Sequence, residues 1–434
     1  MSATRKTKRD FPARASMPRR EFLKQSVAAA GVIGGTLTVG ACSRVGTAMS
    51  VAPARVPGAN ERISIGIIGA GGRGQALMGE INQLAKDHNV EITAVCDVWK
   101  VNLNHTAAAV EKHYGKAPRK FTRFGDLLAL DDIHAVVIAT PDFAHTPILI
   151  EALKAGKDAY VEKPMSLQIA NANKALDLAR AAKRVVQVGT QRRSDGLHMA
   201  AAKTIATGVL GQISRVSASV DFNHPRWARN YADCKEADVD WDAYLFNRPK
   251  RPFDPKLLRR WHLYKTCTNG LSGLWMSHYV DALHMIMGVQ YPASAVAHGG
   301  TYVWKEDREH CDVFHALFDY PEGFLFDWGM SLANSAGTHF SVHGTLGTLD
   351  LQTWTLSGAG GAGDKKIQES TKIEREPGES HMGNWLECLR TRRRPNADIQ
   401  FGHQHAVATI MAAAALHSGQ RQVYDPQTRK MHAG

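Results

Sequence analysis

Gly69-Ala70-Gly71-Gly72-Arg73-Gly74 has the spacing of a glycine-rich phosphate turn. An apolar run, residues 63–68, leads into it, and residues 75–86 can form a helix behind it. That strand-to-helix setting is what such a turn requires. The chemistry belongs to the backbone. Gly69 permits the tight turn, Gly71 lets the main chain approach a pyrophosphate, and Gly74 lets the helix pack close to the strand, with Gly72 and Arg73 at the helix start. A second apolar run, 91–96, ends in Asp97, roughly 20 residues past the last glycine, where a carboxylate bonds ribose hydroxyls and repels a 2′-phosphate. The predicted ligand is a dinucleotide, NAD in preference to NADP. Arg73 and Lys100 are the cations that could reverse the preference, and a polar strand end is the plain alternative for Asp97.

Downstream, His278 and Asp281 stand three apart and can share one helix face. A histidine can accept a hydroxyl proton near neutral pH without a large pKa adjustment. Taken alone, in a chain with 20 histidines, the two residues read better as a helix-surface pair or a satisfied core pair. With His284 they make a poor metal site, because spacings of three and three spread the outer side chains around the helix, and no metal is expected. The segments Arg259 to Tyr264 and Asp221 to Trp227 offer aromatic rings beside polar side chains, the combination that grips a sugar. Trp261, His262 and Tyr264 are the candidates, with core packing the plain alternative for each Trp.

The elements that must position these residues alternate. Strands are expected at 135–140, 159–161 and 185–189, with helices near 145–155 and 167–182 between them, which is the pattern of a doubly wound parallel sheet. Thr140-Pro141 and Glu162-Lys163-Pro164 then fall at strand C-termini, the edge where such sheets bind ligands. From Gly189 the pattern becomes strand-rich, with strands expected at 213–220, 295–303, 313–320, 323–332 and 338–351, and helices at 381–390 and 404–418. The fold class is α/β: a Rossmann domain over 61–190 and an α+β domain over 191–434 with a large, mostly antiparallel open sheet. The glycine-rich run 357–364 reads as a flexible loop.

The chain has 434 residues, 44% hydrophobic and 22% charged, which excludes disordered, collagen-like and polytopic membrane classes. Its net charge of +12 is not a nucleic-acid signature, since half of it sits in the first 24 residues and no basic stretch interleaved with aromatics follows. Arg392 to Arg394 read as basic residues after a helix. Residues 1–42 read as an export segment: Arg19-Arg20 ahead of Phe22-Leu23 and a weakly apolar run over 27–41 resemble a twin-arginine signal, although Pro18 stands where Ser or Thr is usual. Val39-Gly40-Ala41-Cys42 resembles a lipoprotein processing site that would anchor Cys42. Cleavage after Ala48 or Ala54 is the alternative. Residues 43–60 read as a tether. The expected location is the bacterial periplasm or its membrane surface, reached by way of the twin-arginine machinery. Cys96, Cys234, Cys267, Cys311 and Cys388 show no C-x-x-C spacing, so neither zinc nor a disulfide framework is indicated.

Gly69 to Gly74, Ala139-Thr140-Pro141-Asp142, Val161-Glu162-Lys163-Pro164, Gly189-Thr190-Gln191-Arg192 and His278-Tyr279-Val280-Asp281, in this order, resemble the Gfo/Idh/MocA family, named for glucose-fructose oxidoreductase, inositol dehydrogenase and a rhizopine-catabolism protein. The resemblance spans about Arg62 to the C-terminus. It implies hydride exchange between a nicotinamide cofactor and a hydroxyl of a sugar or cyclitol. It also implies an open sheet used for homo-oligomers. Carried onto this chain, it makes Lys163 the residue beside nicotinamide and hydroxyl, His278 the proton-transfer residue and Asp281 a substrate contact. Thr140, Pro141, His145, Glu162, Lys163 and Gln191 fall at the cofactor. Family members commonly hold an Asp four residues before the histidine, and this chain has Leu274.

Export constrains the chemistry. Free nicotinamide cofactor is scarce outside the cytoplasm, so the cofactor should stay tightly bound and be regenerated within a cycle. An oxidoreductase acting on a sugar or glycoside is one reading. A redox-neutral glycosidase that oxidises a ring hydroxyl, eliminates the glycosidic group and returns the hydride is the second, with Tyr264 or His262 as the extra base. A sugar-binding protein without catalysis, suggested by Leu274, is the third.

Overall fold

The computed structural model describes Gly58 and residues 61–434 except Asn247, so the paired arginines and Cys42 lie outside the described residues. β1 (Ile63–Ile68) is almost wholly buried, as a strand covered on both faces must be. It pairs in parallel with β2 (Val90–Cys96) and β4 (Ala135–Ile138). β3 (Arg119–Phe121), β5 (Asp158–Val161) and β6 (Val186–Val188) complete a six-stranded sheet of order β3-β2-β1-β4-β5-β6. β3 gave no signal in the sequence, because Arg-Lys-Phe on a partly exposed edge has no apolar run.

Helices cover both faces: α1 (Gly72–His88), α2 (Lys100–Tyr114), α3 (Asp142–Lys154) and α4 (Ile169–Ala182). α1 begins inside the glycine run, three residues earlier than periodicity suggests, because Gly71 is its extended N-cap residue. The chain order reverses between β1 and β4, and the crevice at their C-terminal ends is where ligands bind in such sheets.

Beyond β6 come α5 (Gly196–Ala206), β7 (Ile213–Asn223), α6 (Ser277–Met287), β8 (Ser294–Gly300), β9 (Val313–Tyr320), β10 (Phe324–Ser331), β11 (Ala333–Gly344) and β12 (Gly347–Asp350). β13 (Thr355–Ser357), β14 (Thr371–Lys372), α7 (His381–Thr391), α8 (Ile399–Ser418), β15 (Gln422–Asp425) and β16 (Lys430–Ala433) follow. The ten strands form one sheet, antiparallel throughout except where β7 runs parallel to β10. One stretch read as a single strand, 338–351, is a hairpin: Gly344 pairs with Gly347, leaving the two-residue turn Thr345-Leu346 that its glycines foreshadow. α8 starts five residues before its expected start, where the Asp398 carboxylate accepts from the amides of Gln400 and Phe401.

One face of this sheet packs Phe314, Phe318, Phe326, Trp328 and Phe340 against Val280 and Leu283 of α6 and Val407 and Met411 of α8. The other face leaves Val296, Leu317 and Leu325 exposed. Arg392, Arg393 and Arg394 each pair with a carboxylate, of Asp158, Glu387 and Asp398 respectively. The cysteines from Cys96 onward are free and buried. Among the described residues no helix is long and apolar enough to cross a membrane.

The strands of the first sheet end at Val188 and those of the second begin at Ile213, but α7 crosses back to the first domain. Met382, Trp385 and Leu386 of this helix lie in the core of the first domain with Leu77, Ile81 and Tyr160. Trp385 is fully buried, its ring 5.7 Å from that of Tyr160. Tyr160 is a large ring on β5, and α7 supplies the surface that covers it. Trp385→Ala should therefore destabilise the nucleotide-binding domain by about 3–5 kcal/mol, read as a lowered denaturation midpoint with NADH release as the probe. Unchanged stability would place α7 outside that core.

Candidate active site

The turn after β1 is built for close approach. Gly69 has φ +90°, and a Cβ there would lie 2.7 Å from the Ala139 carbonyl group. A Cβ on Gly74 would lie 2.0 Å from the Gly69 carbonyl oxygen, so Gly74 serves helix packing and does not border the cleft. At Gly72 a Cβ would meet nothing within 4 Å, and no side chain caps the amides of the first turn of α1. Uncapped amides at a helix start facing open space suit a pyrophosphate.

Asp97 lies at the end of β2. Its carboxylate accepts from the Ala70 and Trp99 amides, both at 2.8 Å. Desolvation pushes its pKa up to about 6 against the pull of those bonds. Neither cation weighed against NAD stands ready for a 2′-phosphate. Arg73 turns away, its Nε donating to Glu162 at 2.6 Å with Glu80 at 3.6 Å, and Lys100 donates to the Ala237 carbonyl at 2.8 Å. Thr140 Oγ1 is buried at the cleft with no partner, a polar atom left for a ligand. The residues present fit NAD.

The cleft runs from this turn to the second domain and has a volume of about 590 Å³, within the rough range of 300–1,000 Å³ for ligand sites. Gly69, Gly71, Gly72, Arg73, Asp97, Thr140, Pro141, His145, Glu162, Lys163, Gln191, Trp261, His262 and His278 all border it. His145 ties two strand ends together, with Nδ1 2.9 Å from the Pro164 carbonyl and Nε2 2.8 Å from that of Thr140. Glu162 fits only because residue 189 is glycine, where a Cβ would sit 2.7 Å from the carboxylate. Gln191 donates to the Tyr160 hydroxyl at 3.1 Å.

At the far end, a π-helical turn, Ser272–Met276, runs straight into α6. Lys163 Nζ donates to the Leu274 carbonyl in that turn at 2.6 Å. Loss of water lowers the Lys163 pKa, and the charges of Asp142 and Glu162 oppose the shift. His278 faces the cleft with no hydrogen bond to its ring among the described residues. Loss of water, then the charges of Lys163 and Arg192, hold its pKa well below the ordinary histidine value. The imidazole is therefore neutral and free to accept a proton.

Two expected site residues lie elsewhere. Asp281 is fully buried behind the helix, both carboxylate oxygens 2.9 Å from Arg193 Nε, and does not border the cleft. The three-residue spacing leaves the two side chains about 60° apart around α6, and Arg193 draws Asp281 to the side away from the cleft. Tyr264 packs beside Leu257 and Cys267 instead of entering the cleft. His284 bonds the Tyr320 hydroxyl at 2.8 Å, so the three residues weighed as a metal site point to three different surroundings. Among the described residues no His, Cys, Asp or Glu cluster could hold a metal.

The sequence reading also missed a residue. Asp142, at the start of α3, borders the cleft and accepts from the buried Thr268 hydroxyl at 2.7 Å. Desolvation raises its pKa, and the charges of His145 and Lys163 pull it back. It sits inside a recognised motif, yet nothing in the spacing from 142 to 163 reveals that the two charges meet.

Residues 63–190 match the model described as an oxidoreductase family with an NAD-binding Rossmann fold, and residues 243–350 match a GFO/IDH/MocA C-terminal domain. A protein of Shewanella baltica called a glycosyl hydrolase family 109 protein is 28% identical over 240 residues, 52% of this chain and 50% of that one. An inositol 2-dehydrogenase of Rubrobacter xylanophilus is 33% identical over 155 residues, 36% of this chain and 42% of its own. The chain thus spans about half the length of the curated relatives it matches, or less. The WlbA dehydrogenase of Bordetella pertussis, solved with NADH and UDP-GlcNAcA, superposes with a TM-score of 0.63 at 21% identity, covering 84% of this chain and 99% of that one.

The raised pKa of Asp97 gives NADH binding a pH dependence. Ribose hydroxyls donate to the charged carboxylate, so affinity should fall as pH drops through about 6. In Asp97→Asn that dependence should vanish and discrimination against NADPH should narrow, both read by titrating NADH and NADPH fluorescence. A pH profile shared by wild type and variant would remove Asp97 from the ribose.

Proposed function

This chain belongs to the GFO/IDH/MocA oxidoreductase family, and on that premise we propose that it is an NAD-dependent enzyme that removes a hydride from a hydroxyl of a sugar, cyclitol or glycoside. The observation that supports this reading best is the meeting of Lys163 with a neutral, unpartnered His278 at the end of a cleft that begins in the glycine turn. Bound NAD supplies the hydride acceptor. The glycine turn and the start of α1 hold its phosphates, and Asp97 its ribose. His278 takes the proton of the substrate hydroxyl. Lys163, held by the Leu274 carbonyl, donates toward the same oxygen and stabilises the charge that grows on it. The charge of Asp142 opposes the loss of that proton, which burial promotes. Leu274 leaves His278 without a neighbouring carboxylate on its own helix, while its main chain does the positioning of Lys163.

A second reading has its own support. The curated Shewanella relatives carry a glycosidase name. A redox-neutral glycosidase would use the same first step, then remove the acidified C–H beside the new carbonyl, expel the glycosidic group, add water across the double bond so formed and take the hydride back. His262, which borders the cleft, would be that base in preference to Tyr264, which does not border it. Holoprotein offered a panel of sugars and glycosides separates the two: lasting cofactor reduction with a keto sugar marks the oxidoreductase, and sugar release without net reduction marks the glycosidase. Export by the twin-arginine route, with or without a lipid on Cys42, and assembly through the open sheet face are part of the proposal. The first rests on Arg19-Arg20 and the apolar run behind them, the second on exposed Val296, Leu317 and Leu325.

Lys163→Ala should lower turnover roughly 10²–10⁴-fold while NADH still binds; undiminished turnover would remove Lys163 from the reaction. Because the His278 pKa is lowered, its base form persists below pH 6.5, and the acid limb of kcat/KM should lie under the ordinary histidine range. Asp142→Asn removes a charge that raises the Lys163 pKa, so the alkaline limb should move to lower pH while the acid limb stays. Alkaline limbs that coincide in wild type and variant would show that Asp142 does not act through Lys163.

A further inference from the structure

The two walls of the cleft carry opposite charge. The carboxylates that border it, Glu80, Asp97, Asp142 and Glu162, all come from the nucleotide-binding domain. Glu80 and Glu162 are matched by Arg73, Asp142 by Lys163 and by the Thr268 hydroxyl from across the cleft, and Asp97 by two backbone amides. The second domain contributes Arg226, Arg229 and Arg259 to the cleft and no acid. None of the three arginines has an ion-pair partner among the described residues.

Their positions differ. Arg259 lies over the Trp99 ring at 4.6 Å, at the Asp97 end, and donates to the Asn230 carbonyl at 3.2 Å. Arg229 stands between the two ends, its charge acting on Arg259 on one side and on His262 on the other. Arg226 is at the reacting end. Its guanidinium lies 5.1 Å from the Phe222 ring and 5.3 Å from that of Trp275, three residues before His278. No hydrogen bond among the described residues uses its side-chain donors.

The loop that presents Arg226 is held in an unusual shape. Arg226 and Trp227 are consecutive non-glycine residues with φ of 53° and 55°, a conformation such side chains seldom adopt. The Arg226 amide donates to His224 Nδ1 at 2.9 Å, and Arg308 bonds the Pro225 carbonyl. Next to it, the Trp227 and His262 rings stack at 5.4 Å, and Trp261 stacks on His262 at 3.6 Å. A flat apolar surface thus adjoins an unpaired guanidinium. The phosphates of a dinucleotide are met by the facing domain, so that charge is left for another ligand.

We propose that the substrate is an anionic saccharide, whose carboxylate, phosphate or sulfate is received by Arg226 and Arg229 while its ring packs against Trp227, the open end of that stack. A guanidinium fork matches such groups with paired hydrogen bonds. The proposal rests on reading the cleft as a sugar site.

The test uses NADH- or NAD-loaded enzyme with matched probes: glucose against glucuronate, glucose 6-phosphate and glucose 6-sulfate. At least one acidic probe should show a KM, or a Kd from NADH fluorescence, tenfold or more below that of glucose, and added salt should erode the difference. Arg226→Gln and Arg229→Gln should each remove most of the preference through KM, with kcat and NADH affinity little changed. The proposal is overturned if glucose is taken as well as every acidic probe, or if the preference survives both substitutions. It is also overturned if Arg226→Gln weakens NADH as much as the saccharide. Lys163-dependent turnover of neutral sugars alone would leave the proposed function standing, whereas no saccharide of either kind taken up would sink both.

Discussion

At the site, one ammonium joins the two domains. Lys163 leaves the end of β5 in the nucleotide-binding sheet, and its Nζ ends on the Leu274 carbonyl of the second domain. That carbonyl lies in a π-helical turn, the wider coil that proteins place at functional sites. The turn can approach because residue 273 is glycine, where a Cβ would already be 3.2 Å from the Pro164 ring. The α6 helix begins immediately afterwards, and His278 is its second residue. The end of one strand, the pitch of one turn and the start of one helix are thus coupled through a bond of 2.6 Å. A shift in either domain would move the proton-accepting nitrogen relative to the cofactor turn.

Behind that contact lies a second, more deeply buried one. The Asp281 carboxylate pairs with Arg193 and is fully shielded from water, with His405 Nδ1 at 3.8 Å. Isolated buried charges are strongly unfavourable, and such a pair contributes less to stability than its geometry suggests. Its effect here is on orientation: it fixes the rotation of α6, so that His278 looks into the cleft while Asp281 looks away. The i and i+3 positions of one helix have divided the work between the site and its support.

How much of this was legible in the sequence depends on the distance over which each signal acts. The glycine turn, Asp97 and the strand ends at Thr140 and Glu162 were readable because local spacing determines them. The parallel sheet followed from alternation, and the large second sheet from its strand-rich stretches. Asp142 was invisible as a partner of Lys163 because the two meet only when β4 and β5 lie side by side. Asp281 was misread because helix periodicity gives relative direction but not which direction faces the cleft. The hairpin at Gly344 and Gly347 was passed over although its turn residues are plain. The arginines of the second domain's wall were visible singly, and the one-sided charge was not.

The crossing of α7 into the first domain bears on how the chain is made. The nucleotide-binding sheet is finished at Val188, yet Trp385 and Leu386, needed to cover Tyr160, come almost two hundred residues later. Domains generally fold as units, the N-terminal one first as the ribosome releases it. Here the first domain emerges with an apolar face uncovered and closes it only after that further stretch of chain has been synthesised. Cofactor capture by a finished fold is thereby postponed until long after the sheet itself has been made, and a messenger truncated at the end of the six-stranded sheet would encode a domain that lacks a wall.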